Sequence, residues 1–193
     1  LMGTDLSGIE IRLFAEELKE FDDGEYIREV MDGDVHTKNQ LAAGLPTRGM
    51  AKTFLYATLY GAGALKLGGQ MDPTLPEGGK IKLGKGAKKR FFKAIPAAKK
   101  VMKKYEKQAK NGYIEAIDGR RIPVDSPHKG LNSRLQNAGA LIAKLWTIYF
   151  YDGMLDAGYE AGYDGDFVVA GFIHDEIQVP CRTEEIANIA GQM

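Results

Sequence analysis

Strand-forming stretches stand near the two ends of this chain, and helical periodicity fills most of the distance between them. Leu1 to Leu6 reads as a short strand, and so do Phe167–Ile173 and Ile177–Cys181, which flank His174-Asp175-Glu176. Between them, Ile9, Leu13, Phe14 and Leu18 place an apolar face on a helix from Ile9 to about Glu20. Asp34 is placed to cap a helix through Leu41, and Thr47 to cap one from Arg48 to about Tyr60. Ser126-Pro127 opens the longest helical pattern, to about Tyr151. One hairpin interrupts the helices, Tyr113–Ile117 and Arg120–Val124 about Asp118-Gly119. The glycine-rich stretch 68–86, which holds Pro73 and Pro76, reads as a mobile loop, with helix resuming near Ala87. Strands at the ends with helices between define an α+β fold.

The chain has 193 residues, 44% of them hydrophobic, enough for one domain or one domain carrying a large insertion. The composition excludes a collagen, a disordered tail and a disulfide scaffold. A lone cysteine, Cys181, cannot bridge within the chain and fits a reducing compartment. No apolar run approaches the ~18 residues of a membrane span, and Leu1–Asp5 lacks the features of a signal peptide. A cytoplasmic location is expected. Leu1 begins inside a strand and Met193 ends inside a helical pattern, as in a piece of a larger protein.

Zero net charge hides segregation. Residues 1–36 hold 3 basic and 11 acidic residues, residues 79–121 hold 15 and 3, and residues 122–193 hold 4 and 10. A basic block this dense is either the solvated polar face of helices or the contact for a polyanion. Carboxylates crowded at the two ends repel each other unless a cation sits among them.

Asp5 ends one strand and Asp175 sits in the tip of a hairpin beside Glu176. If these strands lie side by side, both carboxylates stand on one shelf, where Mg²⁺ takes carboxylate oxygens and keeps other positions for water and phosphate. Two ions ~3.5–4 Å apart suit phosphoryl displacement. The alternative is that Asp5 caps the next helix and Asp175 forms a turn. Arg48, Lys52, Tyr56 and Tyr60 recur every fourth residue and line one broad helix face. Cations there suit phosphates, and phenol rings suit a sugar and base; the alternative is an exposed, solvated face. Gly79, Gly84 and Lys85 imitate a P-loop, but Gly86 follows where a hydroxyl is needed and no strand precedes them, so this match is rejected.

Together these segments resemble the family A (polymerase I-like) DNA polymerases. Asp5-Leu6-Ser7-Gly8-Ile9-Glu10-Ile11-Arg12 is similar to the first catalytic motif, Arg48 through Tyr60-Gly61 to the nucleotide-binding helix, and His174-Asp175-Glu176 to the second catalytic motif. Within the family the chain most resembles replicative polymerases of short-tailed phages. That likeness is carried by Phe21-Asp22-x-Gly24-Glu25-Tyr26, Asp34-Val35-His36-Thr37-Lys38-Asn39-Gln40 and Cys181 to Ile186.

The resemblance implies an antiparallel-sheet palm, residues 1–21 and 126–193, with a helical fingers insertion, 22–125. The thumb, the exonuclease and the end of the palm are expected to lie outside the chain. It implies Mg²⁺-dependent transfer of deoxynucleotides to a primer 3′-hydroxyl with release of pyrophosphate, in the host cytoplasm if the protein is phage-encoded. Asp5 and Asp175 would bind two metal ions, with Glu176 assisting. Arg48, Lys52 and His36 would hold the triphosphate, and Lys52 would protonate the pyrophosphate. Tyr56 would sit against the sugar and Tyr60 near the templating base. Glu10, beside Tyr56, would fill the space that a ribose 2′-hydroxyl needs. Asn132, Gln136 and His174 would read minor-groove acceptors at the primer end, which are common to all base pairs; the alternative for Asn132 and Gln136 is an exposed helix face. The basic block would border the template path and bind single strands. Primer–template DNA and deoxynucleoside triphosphates are the expected partners, with a complementary chain or processivity factor supplying the thumb and exonuclease. Two other readings compete. One is a DNA-binding or assembly fragment with weak catalysis. The other is a single-subunit RNA polymerase, against which Glu10 argues.

Overall fold

The strand β1 (Met2–Asp5) alternates as a half-buried strand should, with Met2 buried and Gly3 and Asp5 exposed. Its partner β5 (Glu176–Val179) buries Ile177 and Val179 on one face. In this computed structural model, which describes residues 1–193, β5 is the middle strand of an antiparallel three-stranded sheet ordered β1-β5-β4, with β4 spanning Gly171–Ile173. The register sets Met2 opposite Val179 and Asp5 opposite Glu176. This sheet belongs to a unit formed by Leu1–Glu10 and Gln136–Met193. Its core is Met2, Phe150, Met154, Phe167, Ile177, Val179 and Ala190. Phe150 meets Phe167 edge to face with ring centroids 6.0 Å apart. Thr183 caps the last helix of the unit, Glu184–Ala190, through the N–H of Ile186.

The second unit, Ile11–Leu135, is helical. Helices α1 (Ile9–Asp22) and α8 (Gly130–Asp156) each contribute to both units. Between them run α2 (Glu25–Asp32), α3 (Val35–Ala43), α4 (Arg48–Leu59), α5 (Ala64–Met71), α6 (Glu77–Ala94) and α7 (Pro96–Ala109). A two-stranded ribbon follows, β2 (Tyr113–Glu115) and β3 (Arg121–Pro123). Phe14, Leu18, Tyr26, Phe54, Leu55, Leu67, Phe91, Val101 and Ile114 form the core of this unit. Asp34 and Thr47 cap α3 and α4 as expected. The α+β reading therefore holds in its coarse form, as helices with small antiparallel sheets. No helix is long and apolar enough to cross a membrane.

Two local expectations need correction. The hairpin turn is wider than a two-residue loop: Gly119 donates to the carbonyl of Ala116 and has φ 82°, so a three-residue connection carries the glycine in the left-handed position. The stretch 68–86 is not a loop. It is the end of α5, a short turn held by Asp72, whose carboxylate accepts from the N–H and hydroxyl of Thr74, and the first half of α6. The glycines serve a close helix contact. A Cβ on Gly68 would lie 1.8 Å from the Lys80 carbonyl oxygen, and one on Gly84 2.1 Å from that of Ala64. Composition alone cannot distinguish glycines that loosen a chain from glycines that let two helices touch. The P-loop imitation at Gly79–Lys85 lies inside α6, which agrees with its rejection.

Gly84→Ala should therefore destabilise the chain by about 1–3 kcal/mol through overpacking. Gly78→Ala, where an added Cβ meets nothing within 4 Å, should be neutral or slightly stabilising. Thermal melts of the two variants check this. An unchanged melting temperature for Gly84→Ala would show that α5 and α6 do not approach so closely.

Candidate functional site

In the sheet unit, Asp5 closes β1 and Asp175 lies in the two-residue turn between β4 and β5. The turn begins at His174, whose φ of 59° is the left-handed conformation that a two-residue hairpin demands of its first residue. Few residues other than glycine adopt it. The backbone N–H of Leu6 donates to the carbonyl of Asp175 over 3.1 Å, so the two aspartates stand on neighbouring strand ends as the shelf requires. Both carboxylates lack an ion pair or hydrogen bond within the chain. Asp5 is exposed, Asp175 and Glu176 are half-buried, and Glu176 accepts from the Gln178 amide over 3.3 Å. No three or more His, Cys, Asp or Glu side chains gather as a ready-made metal cage. Two carboxylates fit Mg²⁺ nonetheless, because that ion keeps several waters and binds through one or two carboxylates together with substrate phosphate.

Also in this unit, the Gln136 side-chain amide donates to the Glu10 carboxylate. Nothing in the sequence signals this contact between residues 126 positions apart. Asn132, four residues earlier on α8, belongs to the helical unit, and its side-chain oxygen is buried without a partner.

In the helical unit, α4 buries Phe54, Leu55 and Thr58. Arg48 and Lys52 are exposed and Tyr56 is half-buried. Tyr60 is the C-cap and is 46% exposed. Behind this helix, Tyr26 and Asn39 form a buried hydrogen-bonded pair, with the Asn39 amide 2.7 Å from the phenol oxygen. Burial pushes the Tyr26 phenol far above its ordinary range.

Asp34 does more than cap α3. It also holds Arg48, whose Nε donates to Oδ1 over 3.1 Å and to Oδ2 over 2.9 Å. Hydrogen bonds from Arg48 and then Thr37 hold the Asp34 carboxyl well below the usual carboxylate range. His36, on the first turn of α3, is driven below the ordinary histidine range, first by partial burial and then by the charges of Arg48 and Lys52. Its Nδ1 is buried without a partner. Thus His36, Arg48 and Lys52 gather at the N-terminal turns of two helices, where the helix dipoles also favour an anion.

The basic block divides into two kinds of lysine. Lys100 lies over the Phe21 ring, 5.6 Å from its centroid, and Lys104 pairs with Glu20 over 2.6 Å. Lys99, Lys103 and Lys107 make no such contacts and share one exposed side of α7. On α6, Lys88 donates to the Ala62 carbonyl and Arg90 to that of Ala43. Sequence reasoning also missed a polar network within the helical unit. Arg134 Nε donates to Glu17 over 2.8 Å, and the Tyr105 hydroxyl donates to the other Glu17 oxygen over 2.5 Å.

A family model described as DNA polymerase family A matches residues 1–193. The chain belongs to DNA polymerase family A. It is 44% identical over 202 residues to the DNA-directed DNA polymerase of Escherichia phage T7, a match covering 97% of this chain and 28% of that protein. It is equally 44% identical, over 200 residues, to the DNA-directed DNA polymerase of Enterobacteria phage T3, covering 96% of this chain and 28% of that one. The likeness to phage polymerases read from the motifs is therefore borne out. Among solved structures, the POL domain of Pol1 from M. smegmatis, in complex with DNA primer-template and dNTP, superposes with a TM-score of 0.73 at 22% identity. It covers 98% of this chain and 35% of that one, and this likeness concerns the fold. The family A chain described here spans about 28% of the length of its curated phage relatives.

Neutral His36 is favoured in the fold, so its contribution to stability is fully present above the ordinary histidine pKa of about 6.5. It is lost as pH falls from there through the lower folded-state value. A proton NMR titration of the ring should give a midpoint below about 6.5, and Lys52→Ala should raise it. A wild-type midpoint at or above the ordinary value would show that the cations do not face this ring.

Proposed function

We propose that the chain is the catalytic core of a template-directed DNA polymerase, in which the sheet unit corresponds to the palm and the helical unit to the fingers. The observation that carries this reading is the pair of unpartnered aspartates, Asp5 and Asp175, fixed on adjacent strand ends in a family A chain. Primer–template DNA and deoxynucleoside triphosphates are the substrates.

Asp5 and Asp175 would hold two Mg²⁺ ions. When bound, these ions lower the pKa of the primer 3′-hydroxyl and stabilise the charge on the pyrophosphate that leaves. Arg48, Lys52 and His36 bind the triphosphate, meeting the charge that builds on its oxygens with cations already in place. Lys52 gives a proton to the departing pyrophosphate. Tyr56 packs on the sugar, Tyr60 stacks near the templating base, and Glu176 assists the carboxylate pair. Glu10 excludes the 2′-hydroxyl, and the amide of Gln136 keeps its carboxylate in place. Asn132, Gln136 and His174 check the shape of the primer-terminal pair. The exposed lysines of α6 and α7 attract the template strand. A complementary chain or processivity factor supplies the grip on duplex DNA.

Asp5→Asn or Asp175→Asn should reduce primer extension by at least a hundredfold, with the melting temperature held or raised because the variant relieves carboxylate repulsion. Extension and melting are measured together, with the complementary chain present if the chain alone extends no primer. Extension retained in both variants would remove the carboxylates from the chemistry. Failure of extension with every partner would favour the DNA-binding fragment instead.

Glu10→Ala should raise ribonucleotide use relative to deoxynucleotide use by about tenfold or more. Competitive incorporation measures the ratio. An unmoved ratio would mean that sugar selection lies elsewhere, and a wild-type preference for ribonucleotides would favour the RNA polymerase reading.

A further inference from the structure

One carboxylate joins the two helix starts that carry the phosphate-binding groups. Oδ1 of Asp34 accepts from the backbone N–H of His36 over 3.2 Å and of Thr37 over 3.3 Å, and Oδ2 accepts from the Thr37 hydroxyl over 2.7 Å. Both oxygens also face Arg48 Nε. A cap needs only the α3 donors, so the Arg48 contact does something further. Arg48 uses Nε for this bond, and its two terminal nitrogens have no partner within the chain. A guanidinium on a flexible stem loses rotamer freedom whenever it grips a ligand. Fixing Nε removes part of that loss in advance and leaves the outer fork for bidentate contact with phosphate.

We propose that Asp34 is a positioning residue for the nucleotide triphosphate: its shared carboxylate aims Arg48 and fixes the turn that carries His36. The inference rests on the nucleotide reading of the α4 face. The neighbouring negative charge is tolerable because five donor contacts spread it over the α3 N-terminus and the Arg48 guanidinium. The low proton affinity of the Asp34 carboxyl agrees with this.

Calorimetric titration of the 193-residue chain with Mg²⁺·dATP tests it through a double-mutant cycle. Asp34→Asn keeps an oxygen for the cap but loses the charged pair, and should weaken binding about tenfold. Arg48→Ala should weaken it at least as much. The double variant should bind no more weakly than Arg48→Ala alone, because Asp34 acts through Arg48. Losses that multiply in the double variant would show that Asp34 acts apart from Arg48 and would overturn the proposal. So would unchanged binding by Asp34→Asn alongside weakened binding by Arg48→Ala. If Arg48→Ala binds normally, or the unmodified chain binds no triphosphate, the nucleotide reading itself fails and this inference fails with it. Asp34→Ser, another good cap too short to reach Arg48, repeats the test should Asp34→Asn fold poorly, and the same outcomes decide it.

Discussion

Asp5 stands opposite Glu176, and Leu6 donates a backbone hydrogen bond to Asp175. These contacts join residues nearly a whole chain apart. Closing a loop of that length costs roughly 4–5 kcal/mol in chain entropy. The closure is offset where β1 and β5 bury Met2, Ile177 and Val179 against Phe150, Met154 and Phe167, since each buried side chain of this size contributes about 1.5–3 kcal/mol. Alternation fixes the register, because a slip of one residue would turn Ile177 and Val179 outward. The same register sets Asp5 opposite Glu176 and leaves Asp175 on the neighbouring strand end, one residue away. The apolar face therefore holds in place two aspartates that have no ion pair or side-chain hydrogen bond of their own within the chain.

In the helical unit the gathered charges are cations. Burial, and then the charges of Arg48 and Lys52, disfavour a proton on His36. Asp34 offsets part of this effect while capping α3. Elsewhere in the unit, Arg134, Glu17 and Tyr105 tie α8, α1 and α7 together. The Arg134 and Glu17 side chains are only 17% and 14% exposed. Removing one partner would leave a largely desolvated charge unpaired, so such a pair is costly to break even where its net contribution is small.

Much of this was legible in the sequence because its signals were local. Thr47 and Asp34 announce their helices, and Arg48, Lys52 and Tyr56 keep the four-residue spacing that one turn of helix translates directly into position. The strands around His174-Asp175 were visible as apolar stretches, although β4 begins only at Gly171 and β5 ends at Val179. What was not legible depends on contacts between distant residues. The glycines of 68–86 signal flexibility by composition, yet Gly68 and Gly84 serve helix packing that only the partner backbone reveals. Arg48 gave no sign of choosing Asp34, nor Gln136 of choosing Glu10, because each pair closes through the fold. Among the lysines of α7, sequence could not separate Lys100 and Lys104, which meet α1, from Lys99 and Lys103, which do not.

The central claim is that Asp5 and Asp175 form one cation-binding shelf. Titrating the isotopically labelled chain with Mn²⁺, a paramagnetic substitute for Mg²⁺, tests it without relying on catalysis. Amide signals should broaden first at Thr4–Ser7 and His174–Ile177, while those of the equally acidic stretch around Asp164 and Asp166 remain sharp. Broadening that begins elsewhere, or spreads evenly over the acidic surface, would contradict the account.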